Sequence, residues 1–180
     1  MSSLVIEIDW LGHRIRTFRD LIPEHPRAVF VGLNPSPISL DAGHYHQGRL
    51  GKRMWRRLER TGIITLPPPG SFHDEWSFHL GFGLTDIVKR PSPRGDLLTR
   101  ADFAHGRARL LALLDEVRPP LIGFIYKRVA EETFRKRLTC NAGLIPGSLC
   151  GSRLFLLPGP YSDKATACRV LGDLKALIGA

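Results

Sequence analysis

The sequence predicts an α/β fold: a three-layer sandwich in which helices flank a central, mostly parallel sheet. Short apolar runs alternate along the chain with longer segments of helical periodicity, as in proteins whose parallel strands are joined by helices. The apolar runs contain few polar residues, which is expected of strands that are covered on both faces. These runs are residues 27–33, 80–88, 121–126 and 154–157.

Length and composition predict one globular domain over residues 1–180, because 43% of the residues are apolar and 24% are charged. No run approaches the roughly 20 apolar residues of a membrane span, and the first residues lack the order of a signal peptide. We therefore expect a cytoplasmic protein, associated with the nucleoid if the source is prokaryotic. The three cysteines have no Cys-x-x-Cys spacing, which excludes a disulfide framework or a four-thiolate cluster built from them alone.

The charge balance favours a polyanionic partner. The chain has 26 Lys and Arg residues against 17 Asp and Glu residues, a net charge of +9, and its sequence pI is near 10.1. Neutralising phosphates releases counterions, so such an excess favours nucleic acid. The alternative is a basic surface that serves only solubility.

The N-terminal third predicts a hairpin, a strand and a basic helix. Residues 4–18 alternate apolar and polar side chains on either side of a Leu-Gly turn, which favours a β-hairpin. Residues 27–33 are interpreted as the central strand. Residues 51–61 place apolar side chains on one helical face and five cations around the other, so this helix is either a solvated surface helix or a phosphate-facing one.

The middle of the chain begins with a predicted loop over residues 66–78, which are rich in proline and glycine. A strand over residues 80–88 and a basic loop over residues 89–98 follow. Thr99 is then typical of a helix N-cap, because Asp102 lies three residues later in a capping-box spacing.

The C-terminal part predicts a strand over residues 121–126, a charged helix over residues 127–138 and a hairpin over residues 147–157. A sharp Pro-Gly-Pro turn follows, and then a final helix. In a parallel sheet the carboxyl ends of the strands meet at one edge, where α/β proteins bind ligands. Asn34, Asp86 and Gly159 should therefore lie at the same edge.

Three ordered blocks of sequence resemble a known family. The blocks are Gly32-Leu33-Asn34-Pro35-Ser36, with Gly43 to His46 and Met54-Trp55 after it, then Gly83 to Pro91, and then Leu157 to Ser162. The first block resembles the opening motif of the mismatch-specific uracil and thymine DNA glycosylases, in the uracil-DNA glycosylase superfamily. The second is similar to that family's Gly-x-Thr-(Asn or Lys)-x-Val-x-Arg-(Pro or Thr) segment, and the third lies where its DNA-intercalating loop would fall.

The resemblance implies a substrate pocket around the first block. In the family, the residue that matches Asn34 is catalytic; the alternative is an Asn that caps the turn before the proline. The backbone of Leu33 would contact the base edge, and Ser36 belongs to the same substrate-binding motif. Tyr45 or His46 would stack on the flipped base, and the spacing leaves both possible.

Asp86 departs from the family's Asn or Lys. A carboxylate at that strand end could activate water or stabilise a developing sugar cation, so it could share or replace the task of Asn34. The alternative is a carboxylate that caps a turn.

The resemblance also implies a DNA-binding surface. We expect contacts to DNA from the basic helix, from the second block and from the turn of the third block. Gly159 stands where relatives often carry a larger residue, and Asp163 is expected to cap the final helix. The expected DNA-binding residues are Lys52, Arg53, Lys89, Arg90, Tyr161, Ser162 and Lys164.

The chemistry expected here requires neither a metal nor a cofactor. His44, His46, His73 and His79 could be drawn as a metal site, but no fixed ligand geometry supports one. Lys127 is a conceivable Schiff-base amine, whereas the resemblance implies a monofunctional enzyme.

Together these expectations describe a DNA glycosylase. It would act as a monomer, without a membrane partner, and hydrolyse the N-glycosidic bond of uracil in a G:U mispair or a single strand to initiate base excision repair. Two alternatives remain: a protein that binds uracil or abasic DNA without turnover, and a hydrolase of free nucleosides or nucleotides.

Overall fold

The computed structural model describes residues 3–179, in which strands and helices alternate after an N-terminal hairpin. The strands are β1 (Val5–Trp10), β2 (His13–Phe18), β3 (Ala28–Gly32), β4 (Phe82–Asp86), β5 (Leu121–Phe124), β6 (Gly143–Leu149) and β7 (Ser152–Leu156). The helices are α1 (Pro37–Ala42), α2 (Arg49–Arg60), α3 (His73–His79), α4 (Arg100–Val117), α5 (Lys127–Phe134) and α6 (Lys164–Gly179). No helix in this part of the chain is long and apolar enough to cross a membrane.

Five strands form the main sheet in the order β4-β3-β5-β7-β6, and β1 and β2 pair separately as an antiparallel hairpin. β3 is parallel to both β4 and β5, β5 is parallel to β7, and only the edge strand β6 is antiparallel to its neighbour. The predicted, mostly parallel sheet is therefore confirmed. The middle strand is β5, so the prediction that residues 27–33 form the central strand was wrong by one position.

The two faces of the sheet bury two separate apolar clusters. Alternate strand residues point to opposite faces, so Phe30 packs with Trp55 and Leu171 from α2 and α6. Val31, the next residue along β3, packs on the other face with α4 and α5 residues such as Leu114. Helices thus cover both faces, and the predicted three-layer α/β class is confirmed.

The predicted N-cap of one helix is confirmed, whereas two other predicted helix boundaries are wrong. Thr99 caps α4 as predicted: its Oγ1 accepts from the Asp102 N–H at 3.1 Å, while Asp102 Oδ2 accepts from the Thr99 N–H at 2.8 Å. The predicted loop over residues 66–78 was wrong in its second half, because α3 begins at His73. The helix predicted over residues 127–138 ends at Phe134, where Arg135 adopts a left-handed φ of 53°.

Gly32 ends β3 directly beside Asp86, its register partner on β4. A Cβ at Gly32 would overlap Oδ1 of Asp86 and lie 3.2 Å from Cε1 of His46. The side chain of Asp86 therefore occupies the space that any larger residue at position 32 would need.

We expect Gly32→Ala to lower the free energy of unfolding by about 1–3 kcal/mol, because overpacking forces buried neighbours to move. Chemical denaturation would measure the change. Gly172→Ala is the control, since a Cβ there meets nothing within 4 Å and alanine favours a helix. Equal stability of Gly32→Ala and the unsubstituted protein would contradict the prediction.

Candidate active site

A cavity of about 380 Å³ opens at the carboxyl edge of the sheet. Residues after β3, β4 and β5 contribute to its wall, together with the segment before α2 and the loop over residues 92–95. The structure brings together in this cavity every residue that the sequence predicted to be catalytic or substrate-binding. These are Leu33, Asn34, Ser36, Tyr45, His46 and Asp86.

Asn34 is held in one orientation by two backbone carbonyls. Its Nδ2 donates to the carbonyl oxygens of Pro35 at 2.9 Å and Ser92 at 3.0 Å. Both amide hydrogens are therefore engaged, and Oδ1 is the atom left to face a ligand as an acceptor. No sequence signal indicated that Ser92 would orient Asn34, because the contact is made by the backbone carbonyl of Ser92 and not by its side chain.

Asp86 is a buried carboxylate at the end of β4, and its Oδ1 has no hydrogen-bond partner within residues 3–179. Burial raises the pKa of the Asp86 carboxyl to about 7; Lys89 and Arg109 oppose the rise, and Asp20 adds to it. Near neutral pH this side chain therefore exchanges between a proton acceptor and an acid.

A charged cluster lies beneath Asp86. Lys89 Nζ lies 2.6 Å from Oδ1 of Asp20, and Arg109 Nη1 lies 2.8 Å from Oδ2 of the same carboxylate. Arg109 Nη2 also donates to the backbone carbonyl of Asp86 at 2.5 Å. Arg109 therefore holds the backbone of Asp86, and the charges of Asp20, Lys89 and Arg109 affect the pKa of its carboxyl.

His46 adopts a left-handed φ of 59°, which is uncommon for a residue with a side chain and often marks a functional position. Its Nε2 atom is buried without a hydrogen-bond partner in the described part of the chain. Burial lowers the pKa of the His46 imidazole to about 4, so the ring is uncharged at neutral pH. A neutral ring can pack against a base or form one hydrogen bond with it.

Tyr45, the other predicted stacking residue, is packed into the cavity wall. Its ring stacks on Phe18 with the centroids 4.5 Å apart, and its hydroxyl donates to the Arg19 carbonyl at 2.8 Å. Phe18 and Tyr126 are two further aromatic residues in the wall, and sequence reasoning missed both. Their positions in ordinary strand patterns gave no functional signal.

Asp74, in α3, holds the segment that carries these rings. Its buried carboxylate accepts from the Tyr45 N–H at 2.7 Å and lies 3.0 Å from Nδ1 of His44. His73 instead pairs with Glu59 at 2.6 Å. Within residues 3–179, no group of three or more His, Cys, Asp or Glu side chains is arranged to hold a metal ion.

Lys89 and Arg90, two predicted DNA contacts, have partners inside the protein instead. Lys89 is buried and also donates to the Phe18 carbonyl at 2.9 Å. Arg90 donates to both carboxylate oxygens of Asp102, at 2.9 and 2.7 Å. We therefore leave both out of the residues proposed to bind DNA, because Lys89 is buried and Arg90 is held by Asp102.

The remaining predicted DNA contacts lie on α2 and on the turn after β7. Arg53 donates to the Pro160 carbonyl at 2.7 Å, and Arg57 donates to the carbonyls of Gly159 and Ser162 at 2.8 and 2.7 Å. These bonds attach α2 to the turn over residues 158–162. Outside them, Lys52, Tyr161 and Lys164 are exposed, and Asp163 accepts from the Thr166 N–H at 2.9 Å as the expected cap of α6.

The raised pKa of Asp86 predicts a dependence of stability on pH. Because the folded pKa of about 7 lies above the ordinary 3.8, the neutral carboxyl stabilises the fold below pH 4, and this contribution disappears as the pH rises through 7. We expect the unfolding free energy of the unsubstituted protein to fall by roughly 2–4 kcal/mol relative to Asp86→Asn between pH 4 and 8. Denaturation at both pH values tests this, with exposed Asp173→Asn as the control. If the unfolding free energy of Asp86→Asn changes with pH in the same way as that of the unsubstituted protein, the prediction is wrong.

Sequence comparison with known proteins identifies the family of the chain. A sequence model of the uracil DNA glycosylase superfamily matches residues 19–162, which include every predicted site residue except Lys164. A relative from Schizosaccharomyces pombe, a G/U mismatch-specific uracil DNA glycosylase, is 28% identical over 121 residues. The matched region covers 67% of this chain and 37% of that relative, so the chain spans just over a third of the relative's length. The chain belongs to the uracil-DNA glycosylase superfamily, as its three sequence blocks predict.

Proposed function

We propose that this protein is a monofunctional DNA glycosylase that hydrolyses the N-glycosidic bond of uracil in DNA, in a G:U mispair or a single strand, and so initiates base excision repair. The observation that carries the proposal is that Asn34 and Asp86, two side chains with acceptor oxygens, line one cavity at the carboxyl edge of the sheet. The name of the S. pombe relative supports the choice of uracil. We further propose that the enzyme acts as a cytoplasmic monomer.

The cavity suits a base that has left the helix. Bases that undergo chemistry are flipped out of the duplex and held by stacking and by hydrogen bonds to their edges. Phe18, Tyr45 and Tyr126 supply an aromatic wall, and the neutral His46 ring supplies a buried nitrogen without a partner. The backbone of Leu33 and the side chain of Ser36 complete the proposed base-binding wall.

Asn34 and Asp86 can divide the hydrolysis between them. Asn34 Oδ1 accepts a hydrogen bond from water and directs the water oxygen at C1′ of the sugar, and ionised Asp86 accepts the proton that this water loses. The bond from C1′ to the base nitrogen breaks as the new bond from C1′ to oxygen forms. The departing base takes the bonding electrons and is protonated to uracil, so one water is consumed.

The DNA would lie across the exposed ends of α2 and the turn after β7. Lys52, Arg53, Ser162 and Lys164 can meet phosphates there, since the net charge of +9 favours a polyanion. Tyr161 is 75% exposed. It is the bulky side chain best placed to fill the gap left by a flipped base.

Asn34→Ala is expected to reduce uracil release from a uracil-containing oligonucleotide on the order of 10²-fold, because the attacking water loses its acceptor. Asp86→Asn should cause a comparable loss at pH 8. Alkali-labile cleavage of a labelled oligonucleotide measures the rate. Asn141→Ala, which removes an exposed amide bonded to Lys127, is the matched control. Binding of uracil-DNA without release by the unsubstituted protein would contradict the enzymatic proposal.

The charged cluster should set the pH range of the reaction. Since ionised Asp86 is the proposed base, the rate should rise with pH and level off above about 7. Asp20 raises the pKa of Asp86, so Asp20→Asn should move the half-maximal rate to lower pH by roughly half a unit to one unit. A pH–rate profile under single-turnover conditions measures this, with Asp173→Asn as the control. An unchanged or higher midpoint in Asp20→Asn would contradict this role.

A further inference from the structure

A second basic groove lies between α4 and α5, separate from the turn that follows β7. It has a volume of about 590 Å³. Four arginines and one glutamate line it, together with an apolar strip. The lining residues are Leu98, Arg100, Phe103, Ala104, Arg107, Arg128, Glu132 and Arg135.

The groove carries an excess of positive charge that the protein itself does not neutralise. Arg107 is fixed by its Nε, which donates to the Thr133 carbonyl at 2.8 Å. The Arg128 guanidinium lies 4.6 Å from the centre of the Phe103 ring and 3.8 Å from Glu132. Arg100 and Arg135 are exposed and have no ion-pair partner in the described part of the chain. Four guanidinium groups against one carboxylate suit several phosphates rather than one.

One short loop separates this groove from the candidate active site. Asn34 donates to the Ser92 carbonyl, and Arg128 of the groove donates at 2.9 Å to the carbonyl of Gly95, which itself lines the cavity. The groove therefore adjoins the cavity, so a strand whose base is held in the cavity can continue into the groove.

We propose that the α4/α5 groove holds phosphates of the damaged strand that lie beyond the immediate neighbours of the flipped uracil. This inference rests on the proposed function and extends it, because it assigns a second stretch of DNA contact beyond α2 and the turn after β7. The guanidinium groups neutralise phosphates.

The test compares long and short substrates for the double variant Arg100→Gln/Arg135→Gln. On a single-stranded oligonucleotide with ten nucleotides on each side of the uracil, kcat/KM should fall about 10-fold, and the salt dependence should lose a slope of about 1–2. On a substrate with one nucleotide on each side, the variant should match the unsubstituted protein. Affinity for the same oligonucleotides is measured in parallel.

Arg27→Gln/Arg118→Gln is the control and removes the same charge. Arg27 directly precedes β3, and Arg118 ends α4 three residues before β5, so both lie at the amino ends of sheet strands, opposite the cavity. Arg118 also matches Arg135 as a left-handed helix C-cap, with φ angles of 45° and 53°. The groove proposal is overturned if the control loses as much as the groove variant, if the groove variant loses equally on both substrates, or if it loses nothing on the long one.

Failure of the proposed function would give a different result. If the unsubstituted protein releases no uracil from any substrate, the glycosylase proposal fails. The affinity measurements then decide the groove alone: weaker binding of the long oligonucleotide by the groove variant, but not by the control, supports it, and equal binding overturns it.

Discussion

The close approach of Asp86 to Gly32 is the constraint on which the site depends. Parallel pairing of β3 with β4 places the two residues side by side, and the missing side chain of Gly32 is what leaves room for the carboxylate. The same pairing puts Asn34, two residues beyond the end of β3, at the same cavity. The register of β3 against β4 therefore fixes the position of both side chains, and a shift of that register would move Asp86 away from Gly32.

Burying a carboxylate without a hydrogen bond to one oxygen costs free energy, and the charged cluster limits that cost. With Asp86 ionised, the cluster holds two carboxylates and two cations; with Asp86 protonated, it carries one excess positive charge. Burial favours the protonated form, while Lys89 and Arg109 favour the ionised form. The balance leaves Asp86 able to change its protonation state near neutral pH, which a fully exposed or a fully paired carboxylate would not do.

The sequence predicted the layers and the cavity because both depend on local patterns. Apolar runs identified four of the five strands of the main sheet, and the first and second motifs identified Asn34 and Asp86 at the ends of β3 and β4. Facts set by tertiary contact were missed. Lys89 looks like a surface cation in the sequence, yet its partner Asp20 lies in the link between the hairpin and β3. Asn34 is oriented by the backbone of Ser92, which no side-chain pattern reveals. The run of prolines before α3 obscured the helix that supplies Asp74.

The arginines of α2 show why net charge alone does not locate a DNA-binding surface. Arg53 and Arg57 donate three hydrogen bonds to carbonyls of the turn after β7, so part of their function is to fix that turn. Fixing it before DNA arrives lowers the ordering cost of binding. If Tyr161 fills the gap left by the flipped base, it does so from a turn already held in place. The α4/α5 groove differs, because Arg100 and Arg135 lie at helix ends and stabilise no loop within residues 3–179. Arginines that hold no other part of the protein are therefore better candidates for phosphate binding than arginines that fix a turn.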